Sequence, residues 1–333
     1  MASVLLVAGT QVSASDLHLL FHRAFVREGW RAAFLAHDSG LPFAEKVIQQ
    51  SRTRYSAPHF ALFNRRLRRV AAETAPDLVL VAGSNWYVQP ETVRWLQRRG
   101  SRVVLNEQHL QVFRPYQVEC LRLYDHVFTQ DGALAGVLQG SGVTRKVSVL
   151  GPACDPEEHR PLTLTAAEQD DLDADVGCIG YGYPNRHALF AQLAEFKLRL
   201  WGRNWDSPTL APFVRTAPVS GLKKTKIYNA TRVNVNLQST VYQASGVTCR
   251  PFEVAACGGF CVADARADLA LYFTPGEDLV TFDDAPDLRA KVRYYLDHAD
   301  ERRELATRGR TRVLAAHTYA HRVREIAAAV GLS

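Results

Sequence analysis

The sequence contains no long hydrophobic run, since no stretch approaches the ~20 consecutive apolar residues that a membrane-spanning helix requires. Residues 1–8 also lack the basic and small-residue features of a secretory signal, and the six cysteines include no C-x-x-C pair. We therefore expect a soluble cytoplasmic protein with reduced thiols. Peripheral membrane association through arginine-rich helices is the alternative.

The patterns of several catalytic and metal-binding classes are absent as well. No spacing of His and Cys fits zinc, and neither a G-x-S-x-G turn nor a Walker A loop occurs. Asp171, Asp173 and Asp175 alternate as in a metal motif, but the glycine and distal glutamate of a calcium loop are missing. No recognised nucleic-acid motif interleaves arginines with aromatic residues. We expect no metal and no cofactor, and nucleic acid is a weak option as a partner.

Lysine is scarce, with seven residues among 40 basic ones, and three of the seven fall at positions 223, 224 and 226. The net charge of +6 favours anionic partners such as nucleotides, phospholipid surfaces or nucleic acid, but charge alone does not choose among them. With 333 residues, 47% of them hydrophobic, the chain has enough apolar side chains for two domain cores.

Apolar segments alternate with amphipathic ones along the whole chain, and this alternation predicts an α/β fold with parallel sheets covered on both faces. The acidic, proline-containing segment 153–174 reads as a linker between domains 1–152 and 175–318. Two doubly wound halves would place ligands at the carboxyl ends of the strands, facing a cleft. Strands are predicted at 3–8, 31–35, 77–83, 102–105, 125–129, 146–150, 176–180, 197–201, 232–237, 260–263 and 279–282.

Residues 244–264 read as a loop, a short helix, a glycine turn and a buried strand. Pro251 suits the first helical position, which makes Arg250 the N-cap and Gly258 the helix exit. An arginine at a helix N-terminus is unfavourable unless an anion binds there too. We therefore expect a phosphate seat at this helix start. Its loop residues are Ser245, Gly246 and Thr248.

Glu253 lies one turn deeper in the same helix and has two interpretations. Its carboxylate could accept hydrogen bonds from hydroxyls such as those of a ribose. Alternatively, it could form one half of a capping box by reaching back to the Arg250 amide, although the Ser or Thr half of that box is missing.

The pattern Arg250-x-x-Glu253-x-x-Ala256-Cys257-Gly258-Gly259, followed by a strand, resembles the donor site of glycosyltransferases with the GT-B fold. The closest resemblance is to proteins similar to the spore-maturation protein CgeB. It covers most of residues 176–325 and continues through Leu269 to Phe273, Gly276 to Asp278, Phe282, Tyr294 to Leu296, Arg308 to Arg310, and His317 to Tyr319 with Arg322.

This resemblance implies two Rossmann-like domains facing a cleft, with the C-terminal helix 319–333 returning to the first domain. It also implies a hexosyltransferase-type enzyme that needs no metal. Such an enzyme moves a sugar from a nucleotide-diphosphate donor to an acceptor hydroxyl on a glycan, protein or lipid. Two alternatives remain, a GT-B sugar-nucleotide epimerase and a non-catalytic sugar-nucleotide or glycan-binding protein of the same fold.

The donor site implied by the resemblance draws on several loops of the second domain. The loop from Gly180 to Arg186 begins like a dinucleotide fingerprint but lacks its third glycine, so we reject NAD as a ligand. Arg186 could still bind a phosphate through two hydrogen bonds. Its alternative is an ordinary surface arginine. The further donor candidates are Arg203 in the turn between Trp201 and Trp205, one of Lys223 and Lys224, and Asn236 at a strand end.

The acceptor would enter from the first domain, at the carboxyl ends of its strands. His109 or Glu107 could be the base that deprotonates the acceptor hydroxyl, and a structural loop histidine is the alternative. Arg250 would stabilise the departing diphosphate. The acceptor-side candidates are Gly9, Thr10, Ser84 and Asn85.

One departure from the family pattern affects the stereochemistry. Retaining GT-B enzymes commonly carry two glutamates separated by seven residues, and the position of the first is Ser245 in this sequence. The pattern therefore leaves open whether transfer retains or inverts configuration.

Overall fold

A computed structural model describes residues 1–8, 17–36, 58–83, 87–107, 120–144, 146–215, 219–238 and 244–332. The chain divides into two compact units, one formed by residues 1–151 and 319–333 and the other by residues 152–318. The segment 153–174, interpreted from the sequence as a linker, lies within the second unit and contains a capped helix, Ala166–Leu172.

The first unit has a parallel sheet of six strands in the order β2-β1-β3-β4-β5-β6. Its strands are β1 (Ser3–Ala8), β2 (Arg31–Ala36), β3 (Leu78–Gly83), β4 (Arg102–Glu107), β5 (His126–Thr129) and β6 (Val147–Val149). Its helices are α1 (Leu17–Arg27), α2 (Pro58–Thr74), α3 (Pro90–Arg98), α4 (Gly132–Gly140) and, from the end of the chain, α11 (Tyr319–Val330).

The apolar runs in this unit form strands because both faces of the sheet are covered. All six residues of β1 are buried, and β3 is buried from Leu78 to Ala82. Helix α11 packs on α1, where the rings of Phe21 and Tyr319 meet edge to face at 5.1 Å. Within this unit, the Arg322 Nε donates to the Gly151 carbonyl at 2.8 Å.

The second unit repeats the plan with a sheet in the order β12-β11-β10-β7-β8-β9. Its strands are β7 (Ala174–Ile179), β8 (Leu198–Trp201), β9 (Val214–Arg215), β10 (Thr231–Asn236), β11 (Cys261–Asp264) and β12 (Val280–Phe282). Its helices are α5 (Ala166–Leu172), α6 (Pro184–Ala191), α7 (Gly221–Ala230), α8 (Arg250–Ala256), α9 (Ala285–Asp297) and α10 (Ala299–Ala316). All pairings in both sheets are parallel, so the prediction of two doubly wound α/β halves is confirmed.

Helix α8 begins one residue earlier than the sequence pattern predicted. Cys249 is the N-cap, so Arg250 is the first helical residue and Pro251 the second. Proline is tolerated at both positions because neither N–H has a partner inside the helix. The predicted exit is correct, since Gly258 has φ +73° and its amide donates to the Ala255 carbonyl at 2.8 Å.

Among the described helices, none combines the length and the apolar character needed to cross a bilayer.

Candidate functional site

Two arginines of the second unit meet at the carboxyl end of β7. Arg186 lies in the first turn of α6 and Arg250 begins α8, and both guanidinium groups lie beside Gly180. A Cβ atom added to Gly180 would lie 2.5 Å from Nη1 of Arg250 and 2.7 Å from Nη1 of Arg186. Residue 180 therefore has to be glycine for two cationic side chains to approach the backbone this closely.

Arg186 is buried, with 2% of its surface exposed. Its Nε donates to the Leu237 carbonyl at 3.0 Å and its Nη1 to the Tyr181 carbonyl at 2.6 Å. Burial, followed by the nearby charge of Arg250, lowers the pKa of the Arg186 guanidinium to about 10. Among the residues that the structure describes, no carboxylate forms an ion pair with it.

Arg250 is half-buried, and its Nη1 donates to the Ile179 carbonyl at 2.9 Å. It lines a cavity of about 10 Å³ with Tyr228, Asn234 and Asn236, among other residues. That volume is about what one water molecule requires. Across the described part of the chain, Arg250 also has no carboxylate within ion-pair distance. Within the described ranges, the two guanidinium groups thus form a concentration of positive charge with no carboxylate at ion-pair distance.

Hydrogen bonds fix the loop that leads into α8. The Thr248 hydroxyl donates to Oδ1 of Asn236 at 3.3 Å, and the Ser245 hydroxyl donates to Oδ2 of Asp268 at 2.9 Å. Gly246 lies buried in the same loop. The loop residues predicted for a phosphate seat therefore lie next to Arg250, with Asn236 at the end of β10.

Glu253 is almost completely buried at the centre of a second polar group in this unit. Its Oε1 accepts from Nζ of Lys224 at 2.8 Å, and its Oε2 accepts from the Tyr228 hydroxyl at 3.0 Å. The Nδ1 of His159 accepts from the Asp155 amide, which leaves the ring proton on Nε2, 3.7 Å from Oε1 of Glu253.

The electrostatics of this group favour the ion pair. Burial alone would raise the pKa of the Glu253 carboxyl, but Lys224 and His159, with hydrogen bonds from Lys224 and Tyr228, lower it to about 2. Burial would likewise lower the pKa of Lys224, yet the adjacent Glu253 outweighs it and raises that pKa. Both groups therefore stay ionised over the whole physiological range.

This arrangement excludes the capping box, while donor binding by Glu253 and Lys224 stays a prediction. The oxygens of Glu253 accept from Lys224 and Tyr228 and not from the Arg250 amide, so the capping box is absent from this helix start. The same contacts occupy the groups predicted to bind ribose and phosphate. A donor could reach Glu253 or Lys224 only if this buried ion pair opened.

Other predicted donor residues lie at the surface or in the core. Lys223 and Arg203 are exposed. Trp201 and Trp205 are buried, and the indole N–H of Trp205 donates to the Gly180 carbonyl at 2.9 Å. The two tryptophans thus pack the unit and support the backbone beneath the arginine pair.

In the first unit, Glu107 ends β4 and is fully buried. Burial, followed by the charge of Glu107, raises the pKa of Tyr87. A general base must reach its substrate, so Glu107, shielded from solvent in this structure, stays a prediction for that role. The predicted positions Gly9, Thr10, Ser84, Asn85 and His109 lie outside the described residues.

The acidic alternation in the former linker region has a structural explanation. Nζ of Lys197 lies 2.6 Å from Asp173, and Nη1 of Arg232 lies 2.9 Å from Asp175. These carboxylates therefore tie β7 to its two neighbouring strands. Within the described ranges, no cluster of three potential metal ligands occurs.

Sequence reasoning missed His159 and the role of Tyr228. Lys224 and Tyr228 are four residues apart on α7, a spacing that places them on one face of the helix. Their proximity could therefore have been predicted from the sequence. His159 precedes α5 in a stretch without regular secondary structure, and no periodicity marks it.

Comparisons with known proteins agree with this architecture. Residues 186–328 match the model of a family described as glycosyl transferase-like. No curated protein matches the chain. The region that contains both arginines is therefore similar to the proteins of this family.

Solved structures resemble the whole chain. Sucrose-phosphate synthase from Thermosynechococcus elongatus aligns with a TM-score of 0.68 at 14% identity, covering 98% of each chain. HepE of Anabaena, solved with UDP-glucose, aligns with a TM-score of 0.68 at 12% identity, covering 99% of this chain and 100% of HepE. A candidate UDP-N-acetylglucosamine 2-epimerase from Listeria monocytogenes aligns with a TM-score of 0.60 at 11% identity, covering 98% and 95%. At these identities the likeness establishes the fold, which is GT-B.

Proposed function

We propose that this protein is a glycosyltransferase that moves a sugar from a nucleotide-diphosphate donor to an acceptor hydroxyl. The observation that carries the proposal is the pair of Arg186 and Arg250 at Gly180, since neither guanidinium has a carboxylate partner among the described residues. Two like charges held together cost free energy that a bound anion would offset. A diphosphate carries the complementary charge and oxygen geometry.

The arginine pair also suits the chemistry of the transfer. When the bond between the sugar and the diphosphate breaks, negative charge develops on the leaving oxygen. Fixed guanidinium groups stabilise this charge without reorganisation, and such stabilisation is often the largest catalytic contribution. We expect Arg186 and Arg250 to perform this role, so that transfer should survive treatment with a metal chelator.

The comparisons support a sugar nucleotide as the ligand class. HepE, which shares the fold over its full length, was solved with UDP-glucose, and the chain's own net charge of +6 favours an anionic substrate. The same proposal has three further parts. The acceptor is a glycan, a protein or a lipid. The specificity is CgeB-like, and the protein is located in the cytoplasm. The catalytic base is proposed at His109 or Glu107.

The first experiment is a thermal-shift panel with UDP, GDP, ADP, CDP and TDP. A nucleotide at 100 times its Kd stabilises the protein by about 2.7 kcal/mol. We expect one base to raise the Tm of the wild type and Arg250→Ala to raise the Kd at least tenfold, which would reduce the stabilisation to about 1.4 kcal/mol or less. Arg303→Ala, an exposed arginine on α10, is the matched control and should respond like the wild type. If no nucleotide shifts the wild type, the proposed diphosphate site is wrong.

Activity separates an enzyme from a binding protein. We expect slow hydrolysis of the selected nucleotide sugar without acceptor, measured as release of the nucleoside diphosphate. Binding without hydrolysis or transfer to any acceptor would instead favour a non-catalytic protein of the same fold.

A second candidate function is epimerisation of a sugar nucleotide. The likeness to the candidate epimerase from Listeria monocytogenes favours it, since that structure also spans nearly the whole chain. Incubation with UDP-N-acetylglucosamine in the absence of acceptor distinguishes the two. An epimerase changes the sugar's configuration, whereas a glycosyltransferase at most releases UDP.

A further inference from the structure

Gln238 carries a buried acceptor that none of the described residues uses. The residue follows β10 by two positions and is 3% exposed. Its Oε1 is shielded from solvent and has no hydrogen-bond partner among the residues that the structure describes. Buried acceptors without a partner are rare in folded proteins, so this one requires an explanation.

The backbone of Gln238 is held in place from two sides. Its amide donates to Oδ1 of Asp264 at 3.0 Å, while the other carboxylate oxygen of Asp264 accepts from Nε of Arg266 at 2.7 Å. The Gln238 carbonyl accepts from Nδ2 of Asn185 at 3.3 Å. The unpaired acceptor is therefore carried by a fixed backbone.

The neighbouring residue links Gln238 to the arginine pair. The carbonyl of Leu237 accepts from Nε of Arg186, so Gln238 lies one residue away from a group that supports the guanidinium. Asn185, which holds the Gln238 carbonyl, directly precedes Arg186 in α6. The unused acceptor thus belongs to the same carboxyl edge of the sheet as the proposed diphosphate site.

We propose that Oε1 of Gln238 accepts a hydrogen bond from a hydroxyl of the sugar nucleotide, which makes Gln238 a specificity-determining residue. This inference rests on the proposed function. A diphosphate has no proton to donate at neutral pH, so the partner must be a group attached to it. The two sugars that flank the diphosphate, the ribose and the transferred sugar, both carry hydroxyls, whereas the base lies beyond the ribose.

The test compares UDP with UDP-glucose, or the equivalent pair with the base that the thermal-shift panel selects. Gln238→Met removes the amide at nearly constant volume. Loss of one neutral hydrogen bond should weaken binding about threefold to tenfold. Weakening of both ligands assigns the ribose hydroxyl, and weakening of UDP-glucose alone assigns the transferred sugar. Gln192→Met, at the exposed C-cap position directly after α6, is the matched control and should bind both ligands like the wild type.

Two further measurements separate this role from a structural one. Without ligand, Gln238→Met should keep or slightly raise the Tm, because it removes an acceptor that had no partner. Gln238→Glu should weaken UDP at least tenfold, because it brings a negative charge close to the diphosphate.

If Gln238→Met bound UDP and UDP-glucose each with the affinity of the wild type, the inference would be overturned while the proposed function would stay intact. A Tm of Gln238→Met several degrees below that of the wild type would also overturn it, in favour of a structural role. If the wild type binds no nucleotide, the proposed function itself fails, and this inference fails with it.

Discussion

Each unit builds a six-stranded parallel sheet, but the two units treat their buried cations differently. In the first unit, Arg322 is buried and pairs with Glu325. In the second, Lys224 pairs with Glu253, whereas buried Arg186 contacts backbone carbonyls and the Tyr183 ring but has no carboxylate in ion-pair contact among the described residues. A neutralised buried cation serves the fold, and an uncompensated one costs stability. The difference therefore points to Arg186 as a ligand residue and to Lys224 as a structural one.

The largest predicted effect tests the structural half of this comparison. Glu253→Ala should destabilise the protein by about 3–5 kcal/mol, because it leaves the Lys224 ammonium buried without its partner. Unfolding in urea, followed by circular dichroism, measures this loss. Lys223→Met, on the helix that carries Lys224, is the matched control, and as an exposed position it should change stability by at most ~0.5 kcal/mol. A loss below about 1 kcal/mol for Glu253→Ala would show that this ion pair does not stabilise the fold.

Acid should weaken the same ion pair in a defined range. The pKa of Glu253 is about 2 in the folded protein and 4.5 without the fold, so its contribution is complete above pH 4.5 and is lost as the pH falls towards 2. The loss amounts to about 3 kcal/mol over that window. Urea unfolding between pH 3 and 6 should show a steeper decline for the wild type than for Glu253→Gln, which cannot titrate. Parallel curves for the two proteins would contradict the assignment.

The sequence predicted the strands well because buried parallel strands are runs of apolar residues. It missed β9, which has two residues and is too short to leave a pattern. It placed the start of α8 one residue late, because proline fits both of the first helical positions. These errors come from local signals that are weak or ambiguous.

The site was predictable only in part, for a different reason. Arg186 and Arg250 were both selected, since each lies at a helix start after a loop. The pairing of Lys224 with Glu253, 29 residues apart, was not, because folding alone brings them together. The unused acceptor of Gln238 is likewise a property of its surroundings, which no sequence pattern records.

A smaller effect tests the ligand half of the comparison. Gly180→Ala should weaken nucleotide binding about tenfold, or ~1.4 kcal/mol, because its methyl group would displace the guanidinium groups of Arg186 and Arg250. Titration calorimetry with the nucleotide selected above measures the change. Gly180 has φ +157°, which adds some backbone strain, but the nearest atoms are the ends of flexible side chains, so the loss of stability should be smaller than for Glu253→Ala. Unchanged affinity would remove the arginine pair from the binding site.

The smallest predicted effect has the opposite sign and comes from the first unit. Gly136 lies on the exposed side of α4, and a Cβ atom added there would meet no atom within 4 Å. Gly136→Ala should therefore raise stability by about 0.5–1 kcal/mol, because alanine loses less backbone entropy in a helix. It should leave nucleotide affinity unchanged, which makes it the matched control for Gly180→Ala. If both substitutions weakened binding equally, the effect at Gly180 would reflect added bulk in general and not contact with the arginine pair.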